Sequence, residues 1–320
     1  MKPIAFPLII FAALSATASQ ISRNPMVRVV TISQAELRHS NDDDLLEDTM
    51  SRLDQAAAFH PDIACLPEVF PRKAAEPVPG PVTTRLARWA KAHSSYVLFG
   101  MKTTGNGAVY NSAILIDRKG QIIGQYNKMH PTEGELKEGA TPGGTDPPVF
   151  ETDFGIIGVQ ICFDINWYEN WQRLKRKGAR IVFFPSAYPA AQQLSALALV
   201  NQFYIVSSPA RGSARIYDIT GQTLSSSGNY QPWATAVLPV GKRLFEMDYH
   251  AQKVREIQRK YGSRVEVVWL HDDDWFTMAS LDPDVTLEDI MSEFGLTPLD
   301  DYRSRASAAI DKARAAAAAK

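Results

Sequence analysis

Residues 155–167 read GIIGVQICFDINW, and the organisation of the chain can be worked out from this segment. Its first seven residues are apolar apart from Gln160 and predict a buried strand. The residues after Cys162 predict a helix that ends near Gly178. Cys162 is therefore expected on a sharp turn between strand and helix. Such a turn exposes the sulfur and leaves backbone N–H groups beside a helix N-terminus, where they stabilise a thiolate and a developing oxyanion.

Strands and helices alternate on both sides of this segment. Toward the N-terminus, residues 26–32 (MVRVVTI) and 62–68 predict short strands, with a helix between them that begins after Asn41. Toward the C-terminus, residues 180–184 predict a strand and residues 194–203 a helix. This alternation indicates an α/β fold in which helices cover sheets.

Three polar side chains stand where predicted strands end: Glu68, Lys128 and Cys162. The carboxyl ends of strands are where layered α/β domains build their sites. A free cysteine has a pKa near ~8.5, so it needs a base or a positive neighbour to act as a nucleophile near neutral pH. Glu68 is suited to be that base, and Lys128 to supply the positive charge. Taken singly, these residues are weak evidence. A carboxylate such as Glu68 is usually just solvated, and a lone cysteine such as Cys162 is more often a small buried hydrophobic residue.

The sequence around these residues resembles the three signature blocks of the carbon–nitrogen hydrolase (nitrilase) superfamily, in the same order and spacing. The blocks are LPE at 66–68, YNKMH at 126–130 and GVQICFD at 158–164, and the flanking YNSA at 110–113 agrees with them. The resemblance covers roughly residues 26–240. Three blocks in order are far more specific than a lone motif.

The resemblance implies both a fold and a reaction. The fold is a four-layer α-β-β-α sandwich of the nitrilase type with a C-terminal extension. Glu68 is the implied general base that takes the thiol proton, and Cys162 the nucleophile that forms a thioester with the acyl carbon. Lys128 and the backbone N–H of Phe163 are implied to stabilise the tetrahedral oxyanion. The chemistry is acyl transfer to water, with ammonia or an amine leaving, and needs no metal or other cofactor.

Supporting residues are implied around this catalytic set. Many members carry a second glutamate past the lysine that orients the substrate and the hydrolytic water. Glu133 and Glu135 are both candidates, and the spacing of seven residues from Lys128 favours Glu135. Tyr168 follows Cys162 at helical spacing and is a candidate to line the substrate site, although such aromatic residues are by default core or pocket wall.

Some segments depart from the family's pattern or match no familiar substrate class. Val200 stands before Asn201 where the family commonly has an acidic residue, and SSPAR at 207–211 differs from the usual strand end. Residues 128–148 have no clean period and predict a long loop. We therefore expect a substrate pocket that differs from those of familiar members.

Composition excludes several classes of protein. The 320 residues carry 34 Lys and Arg against 35 Asp and Glu, which gives a formal net charge of −1. This balance argues against a nucleic-acid-binding protein, which usually has a basic excess. Two cysteines are too few for a disulfide scaffold. Together with the resemblance, the composition favours a small-molecule partner, namely an amide, a ureide or a nitrile.

The N-terminus has the layout of a signal peptide. Lys2 precedes an apolar stretch over residues 4–14, and Ala16-Thr17-Ala18 offers small residues for cleavage. We expect residues 1–18 to direct export to the periplasm or the cell exterior, and an uncleaved membrane anchor is the alternative. No later apolar run is long enough to predict a stable membrane span.

The rest of the chain is predicted to divide in two. Residues 26–245 form the hydrolase domain, and residues 246–320 form a C-terminal extension or arm, where the pattern becomes charged and peripheral. The run Ala315–Ala319 favours helix but has little to bury, so we expect it to fray. The family resemblance also implies a homodimer or a higher homo-oligomer.

Other interpretations of the site are open. One is a Cys–His hydrolase that pairs Cys162 with His130 or His93. Another is a disulfide between Cys65 and Cys162 in an exported, non-catalytic binding protein, although Cys65 is expected to pack in the core. A third is a metal site at residues 271–274 (HDDD), which lacks the spacing of a calcium loop and is better explained as a solvated acidic turn.

The favoured function is a metal-free thiol hydrolase that cleaves a nonpeptide C–N bond in an amide or an N-carbamoyl group. A nitrilase that acts on a C≡N bond is the alternative within the same fold. Transfer of the acyl group to an amine is a third possibility, because a thioester can react with nucleophiles other than water. From a different class, the alternative is a member of the family that only binds its ligand.

Overall fold

The computed structural model describes residues 23–37, 41–71 and 74–319. The predicted signal peptide, residues 1–18, lies outside the described residues. No described helix is long and apolar enough to cross a membrane. The helices are α1 Asp42–Ala56, α2 Pro81–His93, α3 Glu133–Lys137, α4 Tyr168–Arg176, α5 Ala191–Asn201, α6 Ala251–Tyr261, α7 Leu287–Phe294 and α8 Leu299–Ala318.

Most of the strands belong to two large sheets. The first half of the chain contributes β1 Met26–Ile32, β2 Ile63–Cys65, β3 Glu76–Pro77, β4 Tyr96–Gly105, β5 Ala108–Ile116, β6 Ile122–Asn127, β7 Val149–Thr152 and β8 Gly155–Val159. The second half contributes β9 Ile181–Ser186, β10 Tyr204–Pro209, β11 Arg215–Tyr217, β12 Thr223–Ser226, β13 Trp233–Pro239, β14 Arg243–Glu246, β15 Val265–Leu270 and β16 Trp275–Ser280. One sheet has the order β13-β1-β2-β4-β5-β6, with β3 paired to β4, and the other has the order β12-β11-β10-β9-β8-β7.

The two sheets face each other and helices cover their outer faces. Between the sheets, Val29 and Leu98 of the first sheet belong to the same core cluster as Phe183 of the second. The next residue along β1, Val30, points to the opposite face, where it shares a cluster with residues of α1 and α2. On the far side, Trp171 of α4 packs with residues of β9 and α5. This is the predicted four-layer α-β-β-α order.

Parallel strands bring the predicted site residues to one edge of the sandwich. β1, β2 and β4 run parallel in one sheet, as do β8, β9 and β10 in the other. Glu68 stands three residues after β2, and Cys162 stands three residues after β8. Within each sheet the parallel strands have their carboxyl ends at one edge. The two edges meet, since Glu68 lies close enough to Cys162 for its charge to change the thiol pKa.

Gly100 of β4 allows the segment that carries Glu68 to run close beside the sheet. The Gly100 N–H donates to the carbonyl of Pro67 at 3.1 Å, and the Phe70 N–H donates to the carbonyl of Gly100 at 3.1 Å. A Cβ atom at position 100 would lie 2.6 Å from the Cα of Glu68. A side chain at this position would therefore push the Glu68 backbone away.

The segment predicted as a long loop, residues 128–148, contains the short helix α3. Its N-cap Thr132 accepts a hydrogen bond from the backbone N–H of Glu135, and the Glu135 carboxylate accepts one from the N–H of Thr132. This reciprocal capping box satisfies two N–H groups that would otherwise lack partners. The prediction of an irregular loop was wrong here because a single helical turn is too short to show hydrophobic periodicity.

The C-terminal region holds a small core of its own. Strands β14, β16 and β15 form a three-stranded antiparallel sheet, and α6 and α7 pack against it through a cluster that includes Phe245, Ile257, Phe276 and Ile290. We call residues 243–296 the C-terminal module. The run Ala315–Ala319, which is predicted to favour helix, is helical as far as Ala318 at the end of α8. Alanine has the highest intrinsic helix propensity, which favours this helix although little of it is buried.

Candidate active site

The structure brings Glu68, Lys128 and Cys162 together at the edge of the sandwich. All three side chains are buried, with exposed fractions of 8%, 2% and 8%. The Lys128 ammonium lies 2.9 Å from Oε1 of Glu68. Both charges lie close enough to the thiol of Cys162 to change its pKa. Buried charges are stable only when paired, so these residues form one electrostatic unit.

A second carboxylate and an amide complete this cluster. Oε2 of Glu135 lies 2.7 Å from Nζ of Lys128. Nδ2 of Asn111 donates to Oε1 of Glu68 at 2.8 Å and to Oε1 of Glu135 at 2.7 Å. Of the two candidate glutamates, the structure therefore places Glu135 in the cluster, whereas Glu133 is exposed at the start of α3.

The protonation states in the cluster follow from these contacts. Burial by itself would lower the pKa of Lys128, but the charge of Glu68, the charge that Cys162 carries once its thiol ionises, and the charge of Glu135 raise it above its ordinary value. Burial by itself would raise the pKa of Glu135, but hydrogen bonds from Lys128, Asn111 and the Thr132 backbone hold it below its ordinary value. Lys128 is therefore a fixed cation, and Glu135 a fixed anion.

Cys162 lies on the predicted turn between strand and helix. Its φ of +46° is in the left-handed region, which is uncommon for a residue with a Cβ atom, and a 3₁₀ helix over Cys162–Asn166 begins there. Burial and the Glu68 charge raise the pKa of the thiol to about 11. Lys128, the Ala187 N–H and the Ser186 hydroxyl act in the opposite direction. The resting thiol is therefore protonated near neutral pH and needs a base to release its proton.

Buried Asp164 connects the cysteine turn to the lysine block. Its Oδ2 accepts hydrogen bonds from the hydroxyl of Tyr126 at 2.7 Å and from the N–H of Ile161 at 3.0 Å. Its Oδ1 contacts Nδ1 of His130 at 2.8 Å, and the His130 ring stacks on Trp167 with 3.7 Å between centroids. His130 is thus engaged with Asp164, not with Cys162, which removes support for a Cys–His hydrolase.

Residues 27–238 match the Carbon-nitrogen hydrolase family. The chain belongs to this family. The match covers the three blocks around Glu68, Lys128 and Cys162, and it ends before the C-terminal module begins. The predicted recognition is therefore confirmed, and the chain is an amidase-like carbon–nitrogen hydrolase.

Similar proteins include enzymes named for amide and ureide cleavage. An omega-amidase from Xenopus tropicalis is 28% identical over 236 residues, which are 66% of this hydrolase and 84% of that protein. A beta-ureidopropionase from Arabidopsis thaliana is 39% identical over 119 residues, but this match covers only 35% of this chain and 29% of that protein. The crystal structure of an amidase from Nesterenkonia sp. superposes with a TM-score of 0.58 at 18% identity, covering 73% of this chain and 96% of that one. The likeness confirms the predicted fold.

The two aromatic site candidates of this hydrolase occupy different positions. Phe163 follows the nucleophile directly, and its half-exposed ring lies edge-on to Trp167 with 5.4 Å between centroids. Tyr168 is 55% exposed on α4 and borders a groove between α4 and α5. The structure therefore does not bring the Tyr168 side chain into the Glu68–Lys128–Cys162 cluster.

Asn111 and Tyr188 are site residues whose roles the sequence reasoning missed. Tyr188 follows Ala187, which contacts the thiol, and its phenol is close enough to the cluster to be affected by it. Burial, the charge that Cys162 carries once its thiol ionises, and the charge of Glu68 raise the pKa of this phenol, so it is a hydrogen-bond donor at neutral pH. The only available signal was position: Tyr188 directly follows the PSA segment at 185–187, and Asn111 lies in the YNSA segment.

The remaining sequence candidates lie away from the cluster or are engaged otherwise. Cys65 is fully buried and is not bonded to Cys162, and burial raises its thiol pKa well above the ordinary value. His93 ends α2, where its ring packs on Trp89. Residues 271–274 are exposed, and the described part of the chain has no group of three or more His, Cys, Asp or Glu that could hold a metal ion.

Proposed function

We propose that the protein hydrolyses a small-molecule amide through a thioester on Cys162, with Glu68 as the base. One observation supports this above all: the buried Glu68–Lys128 ion pair, with the partly buried Glu135 beside it, lies next to a cysteine held at positive φ. Since the pKa of the thiol is raised to about 11, a nearby base is needed to form the nucleophile. Glu68 is the carboxylate in that position.

In the first half of the reaction, Sγ of Cys162 attacks the amide carbon while its proton passes to Glu68. The carbonyl π electrons move onto oxygen, and the resulting oxyanion is stabilised by the Lys128 ammonium and the N–H of Phe163. The C–N bond then breaks, Glu68 returns the proton to the nitrogen, and ammonia leaves. A thioester to Cys162 remains.

In the second half, water replaces the amine. Glu68 takes a proton from the water as its oxygen attacks the thioester carbon, and the same oxyanion contacts stabilise the intermediate. The C–S bond breaks, the sulfur recovers its proton from Glu68, and the carboxylic acid leaves. We assign Glu135 the role of holding Lys128 and Asn111 in place, since its carboxylate contacts both.

The substrate class is an amide or an N-carbamoyl compound. The names of the relatives, an omega-amidase and a beta-ureidopropionase, support these two groups equally. The test is ammonia release from a panel of aliphatic amides, ureides and nitriles, with Cys162→Ala as the control. Mass spectrometry of the wild-type protein during turnover should find the acyl mass on Cys162. Ammonia release that survives in Cys162→Ala, or its absence across the panel, would refute the proposal.

We also propose that the protein is exported and self-associates. Export follows from the signal-peptide layout of residues 1–18, and association from the family resemblance. Intact mass of protein recovered from the cell envelope should correspond to loss of about the first 18 residues, and a full-length mass would instead support the membrane anchor. Light scattering of the purified protein should give a dimer or a larger species.

A further inference from the structure

Asn111 links the two carboxylates of the catalytic cluster through a single nitrogen. Its Nδ2 donates to Oε1 of Glu68 at 2.8 Å and to Oε1 of Glu135 at 2.7 Å. The Asn111 side chain is 5% exposed, and its strand β5 is paired on both sides, with β4 and with β6. Ionised carboxylates only accept hydrogen bonds, so two that lie this close are held together by a donor between them. The amide of Asn111 supplies that donor and carries no charge.

The orientation of this amide is settled by its two acceptors. Oδ1 of Asn111 is buried and has no hydrogen-bond partner among the residues that the structure describes. The reversed amide would place Oδ1 against both carboxylates, where it would be repelled. An unpaired buried acceptor typically costs about 1–3 kcal/mol. A buried group that bears such a cost calls for an explanation, and the two Nδ2 contacts to the catalytic cluster provide one.

Hydrogen bonds from the described residues occupy three of the four carboxylate oxygens of Glu68 and Glu135. Oε1 of Glu68 accepts from Asn111 and from Nζ of Lys128 at 2.9 Å. Oε1 of Glu135 accepts from Asn111, and Oε2 of Glu135 accepts from Nζ of Lys128 at 2.7 Å and from the N–H of Thr132 at 2.8 Å. No described donor reaches Oε2 of Glu68. This oxygen is therefore the one that is free to accept a proton.

We infer that Asn111 is a positioning residue that makes Glu68, and not Glu135, the base of the reaction. It holds Oε1 of both glutamates and leaves Oε2 of Glu68 to receive the proton of Cys162. The proton passes from Sγ to Oε2 and then to the leaving nitrogen, and in the second half Oε2 takes the proton of water. Asn111 itself exchanges no proton. This inference rests on the proposed function, and it adds the atom that acts as the base and the residue that selects it.

Besides the cluster, a small cavity borders Asn111. Its other lining residues with ionisable side chains are Lys102, Tyr110, Glu135 and Glu138. Lys102 and Glu138 are exposed, so water and salt screen their charges. A charge placed at position 111 would therefore act mainly on the buried members of the cluster.

Asn111→Asp tests the inference because it replaces the donor with a carboxyl group of the same shape. At low pH the new carboxyl is protonated and can still donate to one glutamate, whereas at high pH three carboxylates face one ammonium and repel each other. The ratio of wild-type kcat to Asn111→Asp kcat should therefore rise roughly 10-fold or more from pH 5.5 to pH 8.5, with little change in KM. A purely structural defect would lower kcat by the same factor at every pH.

Asn201→Asp is the matched control. Asn201 is 4% exposed and its Nδ2 donates to the carbonyl of Leu197, so this variant also places a carboxyl where a buried amide donated, but away from the cluster. Its kcat relative to wild type should stay constant over the same pH range. Asn111→Ala has no ionisable group and should lower kcat roughly 10- to 100-fold without the rise toward high pH. A constant ratio for Asn111→Asp, or full kcat in Asn111→Ala, would overturn the inference.

Urea denaturation separates this inference from the proposed function, because it needs no turnover. In folded Asn111→Asp the new carboxyl lies between two carboxylates and keeps its proton to a higher pH than in the unfolded chain. The unfolded state then binds fewer protons, so the urea midpoint of Asn111→Asp should fall relative to wild type from pH 5.5 to pH 8.5.

The outcomes are distinct. If the wild-type protein hydrolyses an amide and the kcat ratio is constant with pH, the inference is wrong and the proposed function stands. If it hydrolyses no compound of the panel but the urea midpoint falls as expected, the bridge between the two glutamates is supported and only the proposed function fails. A midpoint difference that does not change with pH would contradict the bridge itself.

Discussion

At the scale of single residues, Cys162 is controlled by two opposing charges. Glu68 raises the pKa of its thiol and Lys128 lowers it, while burial favours the protonated form. Glu68 is thus suited to remove the thiol proton, and its charge also keeps the resting thiol protonated. Because the thiolate is the reactive form, a thiol kept protonated in this way undergoes fewer side reactions.

The double role of Glu68 predicts opposite effects on two reactions of the same sulfur. Glu68→Gln removes a negative neighbour, so the pKa of Cys162 falls from about 11 and the thiolate fraction at pH 8 rises. Alkylation by iodoacetamide at pH 8 should therefore become faster, whereas kcat for the amide should fall by roughly 10²- to 10⁴-fold because the base is lost. Rates of alkylation measured from pH 7 to 11 check this. Slower alkylation in Glu68→Gln would show that Glu68 does not control the thiol.

Lys128 and His130 lie two positions apart but should differ in their effect on catalysis. Lys128→Met removes the cation that pairs with two carboxylates and that stabilises the oxyanion, so kcat should fall by roughly 10²- to 10³-fold. His130→Ala loses a contact to Asp164 and the stacking on Trp167, and it should retain partial activity. Steady-state kinetics of both variants decide the point, with circular dichroism to confirm folding. A larger loss in His130→Ala would favour a Cys–His hydrolase.

The residues that could be predicted from sequence were those marked by local pattern. Glu68, Lys128 and Cys162 each follow a short apolar strand, and strand ends are visible in the chain itself. Asn111 could not be assigned a role in the same way. Its contacts with Glu68 and Glu135 span 43 and 24 residues of sequence, and they depend on the antiparallel pairing of β5 with β4 and with β6. Such a contact exists only after the sheet has formed.

At the scale of elements, α3 shows how a single helical turn fixes a positioning residue of the active site. Glu135 is the N3 residue of the capping box, so one carboxylate oxygen caps Thr132 and pairs with Lys128, and the other accepts from Asn111. The capping box therefore holds the Glu135 side chain in place, and Glu135 in turn holds Lys128 in place. The Thr132–Glu135 spacing was visible in the sequence, but without hydrophobic periodicity it was not enough to predict a helix.

Loss of the Thr132 cap should therefore reduce activity as well as stability. Thr132→Ala removes the hydroxyl that accepts from the N–H of Glu135, at a cost of about 1 kcal/mol in the free energy of unfolding. Because Glu135 becomes less well positioned, kcat should fall by several-fold. Thr286→Ala is the matched control, since Thr286 caps α7 through the same kind of box with Asp289 in the C-terminal module. It should lose similar stability and keep full kcat, as urea denaturation and kinetics would show.

If both variants lost kcat equally, the effect would be one of general stability. If Thr132→Ala kept full kcat, the cap would not position Glu135. Thr132→Ser keeps the hydroxyl and should restore both properties, which separates loss of the cap from loss of the methyl group.

At the scale of the whole molecule, the hydrolase sandwich carries a module that the family match does not cover. The sequence of this region predicted only a peripheral extension, because its core depends on contacts between distant residues. Phe245 and Phe276, for example, stack with 5.1 Å between centroids although 31 positions separate them. Short strands with such distant partners leave little local pattern. The sandwich was easier to predict because its strands and helices alternate in sequence.

A partly buried ion cluster at Lys242 connects this module to the sandwich through Glu266, whose side chain is 41% exposed. Its ammonium lies 3.2 Å from Asp218, at the end of β11, and 2.9 Å from Glu266 of β15. Lys242 and Asp218 are each only 8% exposed at the side chain. Removing one partner of a buried pair leaves the other charge without compensation, which typically costs about 3–5 kcal/mol.

Lys242→Met should therefore lower the free energy of unfolding by about 3–5 kcal/mol in urea denaturation. Lys260→Met is the matched control, because Lys260 pairs with Glu293 inside the same module but both side chains are substantially exposed. Exposed pairs typically contribute about 0–1 kcal/mol, so this control should have a small effect. Asp218→Asn in the Lys242→Met background replaces the uncompensated carboxylate with a neutral amide. It should recover part of the lost free energy of unfolding. Equal effects of the two lysine substitutions would mean that the module is held to the sandwich by apolar contacts and not by this ion cluster.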